Sequence, residues 1–337
     1  MTILFFSRLF VPHIGGVEKH VYKISQILLK RGHNVVVITE NHGWKREETI
    51  DGIQIYRINA GKEGINKKFR IWNELWKLRN VVKSADIIHC HDVFFWYIPF
   101  RYLYAEKPVY TTFHGWEGRY PLDKKSIILR RMAEKFCAGN IAIGAFIEKW
   151  YGTKANFISY GGVNQFKAPK TKENINSKKK NILFLGRLEK DTGVLIYLDS
   201  VKKVQQKYKN LEVTILGEGN LQNAIKKRKL KTTIVVDTTS YIIHCDILLA
   251  SSYLSILEGL MQKKQIIAYY DNPLKYDYLY MTPFRKYISI VKSEKEIINE
   301  IRKIIKNKFP INEAGYRWAK KQTWEVVTDT YTKLWNL

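Results

Sequence analysis

The chain has 337 residues, and its 57 lysines and arginines against 31 acidic residues give a formal net charge of +26. This length suits two domains of ordinary size. Hydrophobic residues make up 45% and aromatic residues 13% of the chain, which excludes a disordered or low-complexity protein. A positive charge of this size points to nucleic acid, anionic membranes or phosphorylated ligands, and composition alone does not choose among them.

The three cysteines, Cys90, Cys137 and Cys245, are far apart, so they indicate neither a disulfide framework nor a CxxC metal site. The apolar N-terminus is interrupted by Arg8 and Pro12, and we interpret it as a buried strand rather than a signal peptide. No sequence run approaches the roughly 18 uncharged apolar residues of a membrane span. We therefore expect a cytoplasmic protein, either free or peripheral on the cytosolic face of a membrane.

The first half of the chain alternates apolar strands with amphipathic helices. A strand over residues 3–6 precedes a helix over 17–31, whose last turn is basic and whose stop is Gly32. Further strands are predicted over residues 35–39, 53–58, 86–89, 109–112 and 141–143. This alternation predicts a parallel, doubly wound sheet.

The same rhythm restarts after a lysine-rich stretch, residues 166–180, which we predict to be a basic linker. It separates an N-terminal domain, residues 1–165, from a C-terminal domain, residues 181–310. Strands of the second domain are predicted over residues 181–186, 211–217, 232–237, 246–251 and 265–270. The tail, 311–337, is helical in pattern and carries three tryptophans. We predict an α/β protein of two Rossmann-like domains that face a cleft, with ligands outside the carboxyl ends of the strands.

Candidate site residues of the first domain lie at predicted strand ends. Gly15 and Gly16 separate the first strand from the first helix, where a ligand can approach the backbone and the helix N-terminus attracts anions. A tight turn without a ligand is an equal alternative. His114 follows a strand and precedes a glycine, and its alternative is a structural histidine. The GxGxxG spacing is absent, so Glu40 is weak support for an NAD(P) enzyme.

Candidate residues of the second domain follow the same logic. Arg187 comes directly after the first strand, and a guanidinium makes bidentate contacts to phosphate oxygens. Gly217 and Gly219 follow the next strand, where simple turn residues are the alternative. Glu258 is predicted near a helix start, where it either complements the helix dipole or binds a ribose.

Motifs throughout the chain resemble family 4 of the glycosyltransferases, which have the GT-B fold. Residues 10–39 resemble the opening of the family and are especially similar to the transferases that add N-acetylglucosamine to phosphatidylinositol. Residues 323–335 resemble the family's final helix, which crosses back onto the first domain. Between them, seven segments follow in the family's order: DIIHCHD (86–92), TTFHG (111–115), ISYGGVN (158–164), FLGRLEKDTG (184–193), ILGEGN (215–220), CDILLASS (245–252) and LEGLMQKKQIIA (257–268).

This resemblance implies a metal-independent glycosyl transfer with retention of anomeric configuration. The donor would be a UDP- or GDP-linked sugar, the acceptor a glycan or a lipid-linked molecule, and no further cofactor would be needed. By the same resemblance, His114 is the catalytic histidine, Arg187 neutralises the diphosphate and Glu258 holds the ribose. The donor-binding residues predicted in total are Gly15, Gly16, Arg187, Lys190, Gly217, Gly219, Ser251, Ser252 and Glu258.

Two positions depart from the family pattern. Thr192 stands where the family has a lysine, and Lys190 is the candidate to replace it. Ala250 stands where the family has the first glutamate of a pair, and the loop after it is shorter, so that Ser251 and Ser252 are among its few polar groups. These departures favour, as an alternative, a catalytically weak or inactive partner protein that binds a nucleotide or glycan.

Residues 65–83 form an amphipathic pattern of aromatic, leucine and basic residues, which is typical of a helix on anionic lipid. A helix packed on the sheet is the alternative. The basic segment 124–131 adds to the membrane hypothesis. A nucleic-acid partner is not expected, because the charge is spread through both halves without a recognisable binding motif. The predicted membrane contacts are Trp72, Trp76, Lys67, Lys68 and Arg70.

Overall fold

A computed structural model describes residues 1–13, 15–64, 66–115, 120–165, 179–228 and 238–337. The chain divides into two compact units. Of the described residues, the first unit takes those up to 115, 121–161 and 324–337, and the second takes residue 120 and those from 162 to 323. Most of the predicted linker, residues 166–178, and the predicted strand 232–237 lie outside the described residues.

The first unit is built on a sheet that has eight strands among the described residues, in the order β3-β4-β2-β1-β5-β6-β7-β8. The strands are β1 (Thr2–Ser7), β2 (Asn34–Glu40), β3 (Glu47–Ile50), β4 (Ile53–Ile58), β5 (Ile87–His91), β6 (Val109–Phe113), β7 (Gly139–Ile143) and β8 (Phe157–Ser159). Neighbours pair in parallel, except that β3 and β4 form an antiparallel hairpin. The sequence prediction missed β3, although Asp51 and Gly52, both at positive φ, are a typical hairpin turn pair.

Helices pack on this sheet because each presents an apolar face to it. Their bounds are α1 (Gly16–Lys30), α2 (Lys67–Lys77), α3 (Arg79–Ser84), α4 (Ile98–Arg101), α5 (Lys124–Phe136) and α6 (Phe146–Tyr151). The single helix predicted over 65–83 is wrong in one respect, because the described part of that range forms two helices. The backbone leaves the helical path at Leu78, whose N–H bonds to the Leu75 carbonyl at 2.9 Å.

The second unit has a parallel sheet of five strands among the described residues, in the order β10-β9-β11-β12-β13. The strands are β9 (Lys180–Leu185), β10 (Leu211–Leu216), β11 (Ile247–Leu249), β12 (Gln265–Tyr269) and β13 (Ser289–Val291). The helices are α7 (Val194–Gln205), α8 (Gln222–Lys227), α9 (Thr239–His244), α10 (Tyr253–Met261), α11 (Pro273–Tyr280), α12 (Glu294–Lys306) and α13 (Glu313–Ala319). The apolar faces of α7 and α12 and the strands between them form one core.

The last helix, α14 (Trp324–Trp335), belongs to the first unit. Tyr331 and Trp335 bury their rings there, and an ion pair of 2.6 Å joins Asp329 to Arg31 at the end of α1. The helix crosses back to the first domain as the family resemblance implies. The predicted tail, 311–337, is therefore divided, since α13 belongs to the second unit.

Candidate functional site

Neighbouring strands of the first sheet bring the HCHD and FHG motifs together. β5 ends at His91 and β6 at Phe113, and the carboxyl ends of parallel neighbours meet at one edge. His91 Nδ1 lies 2.9 Å from His114 Nε2. The backbone N–H of His114 donates to both carboxylate oxygens of Asp92, at 3.1 and 3.2 Å. The predicted catalytic histidine is thus held by its ring and by its backbone.

Asp92 connects this edge to helix α5. Its backbone is left-handed, with φ of +60°, a conformation that aspartate tolerates better than most residues. Arg130 Nη2 lies 3.1 Å from Asp92 Oδ1, and the guanidinium stacks over the Tyr151 ring at 4.3 Å. The carboxylate therefore links His114 to a cation that α5 supplies.

The electrostatics of this edge keep His114 neutral. Burial lowers the pKa of His114 to about 3, and the Arg130 cation adds to the effect. Burial raises the pKa of Asp92, although Arg130 and the His114 N–H oppose that change. At neutral pH the His114 imidazole can donate and accept hydrogen bonds, but it is not an imidazolium acid.

A chain of buried hydrogen bonds runs behind this edge to the last helix. Trp335 Nε1 donates to His89 Nδ1 at 3.1 Å, and His89 Nε2 lies 2.7 Å from Thr112 Oγ1. The Thr112 hydroxyl is 2.8 Å from the Tyr331 hydroxyl, which is 2.9 Å from His20 Nε2. His20 and Tyr331 thus connect α1 and α14 to the strands beneath the site.

Two polar atoms at the edge invite a ligand. Within the part of the chain that the structure describes, His91 Nε2 and Arg130 Nη1 are buried and have no hydrogen-bond partner. Buried polar groups are nearly always paired, so these atoms favour a polar ligand or ordered water at this position.

The two N-terminal glycines differ in their surroundings. A Cβ on Gly15 would lie 2.1 Å from the carboxylate of Glu18, so this glycine makes room for a side chain of its own helix. A Cβ on Gly16 would meet no other atom of the described residues within 4 Å. The open approach to backbone that the sequence predicted for the pair therefore exists at Gly16.

In the second unit, Arg187 and Lys190 follow β9. The Arg187 side chain is 51% exposed, and its Nη2 lies 2.7 Å from Asp191 Oδ2. Lys190 is exposed. The arginine is thus already engaged by a carboxylate of its own loop, which a diphosphate has to displace.

Gly217 and Gly219 have a packing explanation. Both lie at positive φ, at +143° and +152°, and a Cβ would lie 1.9 Å from the Gly186 carbonyl oxygen and 2.6 Å from that of Leu188. Only glycine lets the loop after β10 pass so close to the loop after β9. Their donor contact stays a prediction.

The family-variant positions lie at the same edge of the second sheet. The single hydroxyl proton of Thr192 is shared between the carbonyl oxygens of Arg187 and Glu189, at 2.9 and 2.7 Å. Ser251 Oγ lies 3.4 Å from the Thr192 carbonyl oxygen, and Ala250 is fully buried. The serines and Thr192 thus surround one loop, residues 187–193.

Glu258 and Ser252 are both part of α10. Ser252 is its N-cap residue, and its hydroxyl lies 2.9 Å from Ser255 Oγ. Glu258 is 9% exposed and lies within the helix, and the Thr238 hydroxyl donates to it at 3.4 Å. Its predicted place near a helix start is therefore wrong, so a role in complementing the helix dipole does not apply.

The predicted membrane residues do not share one surface. Lys67 is 12% exposed and pairs with Glu40 at 3.0 Å, and Trp72 donates its indole N–H to the Phe95 carbonyl at 2.9 Å. Arg70 binds the carbonyls of the preceding loop. Trp76, at 47% exposure, and Lys68 do face outward. Ile71 and Leu75 are buried, so α2 packs on the unit through one face and exposes the other.

Sequence reasoning missed Asp92, Arg130, His91, His20 and Tyr331. The spacing of His89 and His91 was an available signal, because alternate residues of a strand share a face. The DIIHCHD motif therefore places two imidazoles together beneath His114. The contributions of Arg130 and Tyr331 come from distant helices and leave no local signal.

Residues 14–157 match the family described as Glycosyltransferase Family 4. The chain is 27% identical over 221 residues to phosphatidyl-myo-inositol mannosyltransferase of Mycobacterium tuberculosis, covering 61% of this chain and 57% of that protein. It is 38% identical over 99 residues to a phosphatidylinositol N-acetylglucosaminyltransferase protein of Homo sapiens, covering 28% and 20%. The predicted resemblance to the family 4 glycosyltransferases is confirmed. The chain matches little more than half the length of the mannosyltransferase, and both relatives agree with the predicted enzyme class.

Solved structures extend the family 4 resemblance to the fold of the whole chain. A glycosyltransferase from Rickettsia africae has a TM-score of 0.74 at 17% identity, covering 99% of this chain and 98% of that one. Anabaena Alr3699/HepE, in complex with UDP and glucose, has a TM-score of 0.76 at 14% identity, covering 99% of both chains. The predicted GT-B fold class is confirmed.

Two kinds of feature are absent from the described residues. They contain no group of three or more His, Cys, Asp or Glu side chains arranged to hold a metal ion. Nor do they include a helix that is both long and apolar enough to cross a membrane.

Proposed function

We propose that this chain transfers a sugar from a nucleotide-diphosphate sugar to a lipid-linked or glycan acceptor, with retention at the anomeric carbon and without a metal ion. The observation that carries the proposal is the arrangement of His114, Asp92 and Arg130 at the edge of the first sheet. It lies within the range that matches family 4, at the position where the family resemblance implies the active-site histidine.

The donor site is proposed for the loops at the carboxyl edge of the second sheet. Breaking the bond from the anomeric carbon to the phosphate oxygen places negative charge on the leaving diphosphate. Fixed cations and backbone N–H groups stabilise that charge more in the transition state than in the ground state. Arg187 is suited to this role because it is half exposed and can exchange Asp191 for phosphate. HepE, which shares the fold, binds UDP and glucose, and this favours a UDP- or GDP-linked donor.

His114 would then act as a neutral hydrogen-bonding group. With a pKa of about 3 it holds no proton to give at neutral pH beyond its single N–H. One ring nitrogen faces His91, and the other is left to orient a hydroxyl of the donor sugar. The backbone bond to Asp92 fixes the ring's position, which limits the entropy lost on binding.

The acceptor is proposed to be lipid-linked. Both curated relatives are named for a phosphatidylinositol substrate, and the net charge of +26 favours an anionic surface. The protein would work as a peripheral protein on the cytosolic face of an anionic membrane, and we expect no nucleic-acid partner.

The test is a transfer assay with vesicles that contain phosphatidylinositol. UDP-N-acetylglucosamine, UDP-glucose and GDP-mannose are offered in turn, and the glycolipid product is detected by mass spectrometry, with its anomeric configuration read by NMR. Arg187→Ala should weaken UDP or GDP binding by about tenfold or more. His114→Ala should reduce transfer far more than nucleotide binding. Equal losses in both quantities would assign His114 a packing role, and an inverted product would contradict retention.

An inactive partner protein is the second candidate, favoured by Ala250 and Thr192. Ala250 is fully buried and the Thr192 hydroxyl is held by backbone carbonyls, so neither replaces the charged group of the family. Nucleotide binding without transfer to any lipid or glycan acceptor would favour this candidate over the active enzyme.

A further inference from the structure

Helix α11 brings a buried lysine to the loop after β9. Lys275 is 1% exposed, and its Nζ donates to the backbone carbonyl oxygen of Asp191. The lysine lies in the first turn of α11, where its backbone N–H donates to Asn272 Oδ1 at 2.9 Å. Burying an ammonium group is costly unless the charge has a purpose or compensation nearby. Its position on this particular carbonyl therefore calls for an explanation.

The carbonyl belongs to the segment where the family resemblance leads us to expect a lysine. Asp191 directly precedes Thr192, and its carboxylate holds Arg187 at 2.7 Å. The Thr192 hydroxyl is occupied with the carbonyls of Arg187 and Glu189. Lys190 is the lysine nearest in sequence, but it is exposed, whereas the Lys275 ammonium already lies against the loop.

We propose that Lys275 supplies the second cation of the donor diphosphate site, in place of the charge that Thr192 lacks. The proposal rests on the proposed function and deepens it. An ammonium carries three N–H donors, so the group that holds the Asp191 carbonyl can also meet a phosphate oxygen. Because the lysine comes from α11, a residue more than 80 positions away completes the loop that begins at Arg187.

The experiment measures nucleotide affinity by titration calorimetry on the full chain. UDP and GDP are compared with UMP and GMP, so that the contribution of the second phosphate is isolated. Lys275→Met keeps the volume of the side chain and removes its charge. Lys303→Met, an exposed lysine on α12 of the same unit, is the matched control for net charge. Circular dichroism checks that each variant is folded.

We expect Lys275→Met to lose roughly tenfold or more in affinity for the diphosphate, with the monophosphate nearly unchanged and Lys303→Met like the wild type. Adding Thr192→Lys to Lys275→Met should restore the diphosphate affinity, because it returns the charge to the loop by the shorter route. A purely structural lysine would not be rescued in this way. This rescue keeps the test decisive if Lys275→Met is itself less stable.

Three results would overturn the inference. The first is a folded Lys275→Met with wild-type affinity for the diphosphate while Arg187→Ala has lost it, which leaves the proposed function intact. The second is a loss in Lys190→Met and not in Lys275→Met, which assigns the second cation to Lys190. The third is a wild-type chain that binds none of these nucleotides, which contradicts the proposed function as well.

Discussion

The indole of Trp335 determines the direction of the buried hydrogen-bond chain, because an indole nitrogen can only donate. His89 Nδ1 must accept from it, so the neutral ring carries its proton on Nε2 and donates to Thr112. The Thr112 hydroxyl then donates to Tyr331, whose own proton faces His20 Nε2. A proton added to His89 Nδ1 would face the indole N–H, so the chain holds only while these rings are neutral.

Gly16 offers a residue-scale prediction in which stability and binding change in opposite directions. Alanine has space there, and it is a better helix former than glycine in the first turn of α1. Gly16→Ala should therefore match or exceed the wild-type free energy of unfolding by a few tenths of a kcal/mol. Its methyl group should nevertheless block close approach of the donor phosphates and weaken donor binding. Urea unfolding and donor titration measure the two quantities.

Gly217→Ala is the matched comparison for Gly16→Ala. Its Cβ would meet the Gly186 carbonyl at 1.9 Å, so we expect a clear loss of stability whatever happens to binding. A Gly16→Ala variant that binds the donor normally would show that the ligand does not approach this backbone. A less stable one would show that the space beside Gly16 is filled.

Helix α5 differs from α2 in how it uses its apolar residues. Only Ala133 is buried on α5, while Ile128, Met132 and Phe136 are 58%, 42% and 47% exposed. These three lie at four-residue spacing and therefore share one face of the helix. Lys124, Lys125, Arg131 and Lys135 accompany them. An apolar face with basic flanks is the pattern of a helix at an anionic lipid surface.

At the element scale we therefore predict that α5 contributes more to membrane binding than α2 does. An Ile128→Ser, Phe136→Ser double variant should lose most binding to vesicles that contain phosphatidylinositol or phosphatidylserine, measured by co-sedimentation. A Phe69→Ser, Trp76→Ser variant of α2 is the control, and it should lose less. Both pairs are exposed, so stability should change little. Unchanged binding in the α5 variant, or a larger loss in the α2 variant, would contradict the prediction.

The elements that the sequence predicted well are those with strong local patterns. The buried strands β1, β2 and β5 to β7 are continuous apolar or threonine-rich runs, and α1 ends at its basic turn. The prediction missed β3 and β13, which are short and only partly buried. The candidate site followed the same division, since His114 and Arg187 stand at strand ends. Lys275 and Arg130 come from distant helices, where no local pattern indicates a partner.

On the scale of the whole molecule, the first unit joins the two ends of the chain. α14 packs on α1, and Tyr331 reaches between them to the strands. The rings of His20, His91 and His114 lie within about 5 to 6 Å of one another. With His89, which lies beside His91, four histidines share one desolvated region, in which each positive charge would repel the others.

These histidines predict an acid-labile first unit. Burial is the main cause that lowers the pKa of all four, His20, His89, His91 and His114, below the ordinary value of 6.5. Their stabilising contribution is therefore fully present above about pH 6.5 and is lost as the pH falls toward their folded values, because the unfolded chain binds more protons.

The magnitude follows from the same linkage. By pH 5 each fully buried ring should have cost about 2 kcal/mol, which for three such rings is comparable to the stability of an ordinary domain. The raised pKa of Asp92 acts in the opposite direction, but it is a single group and cannot offset them. Urea unfolding followed by tryptophan fluorescence at pH 7.5, 6 and 5 measures the slope, and His20→Phe should remove about one proton from it. A free energy of unfolding that stays constant from pH 7.5 to 5 would mean that the imidazoles are hydrated in solution.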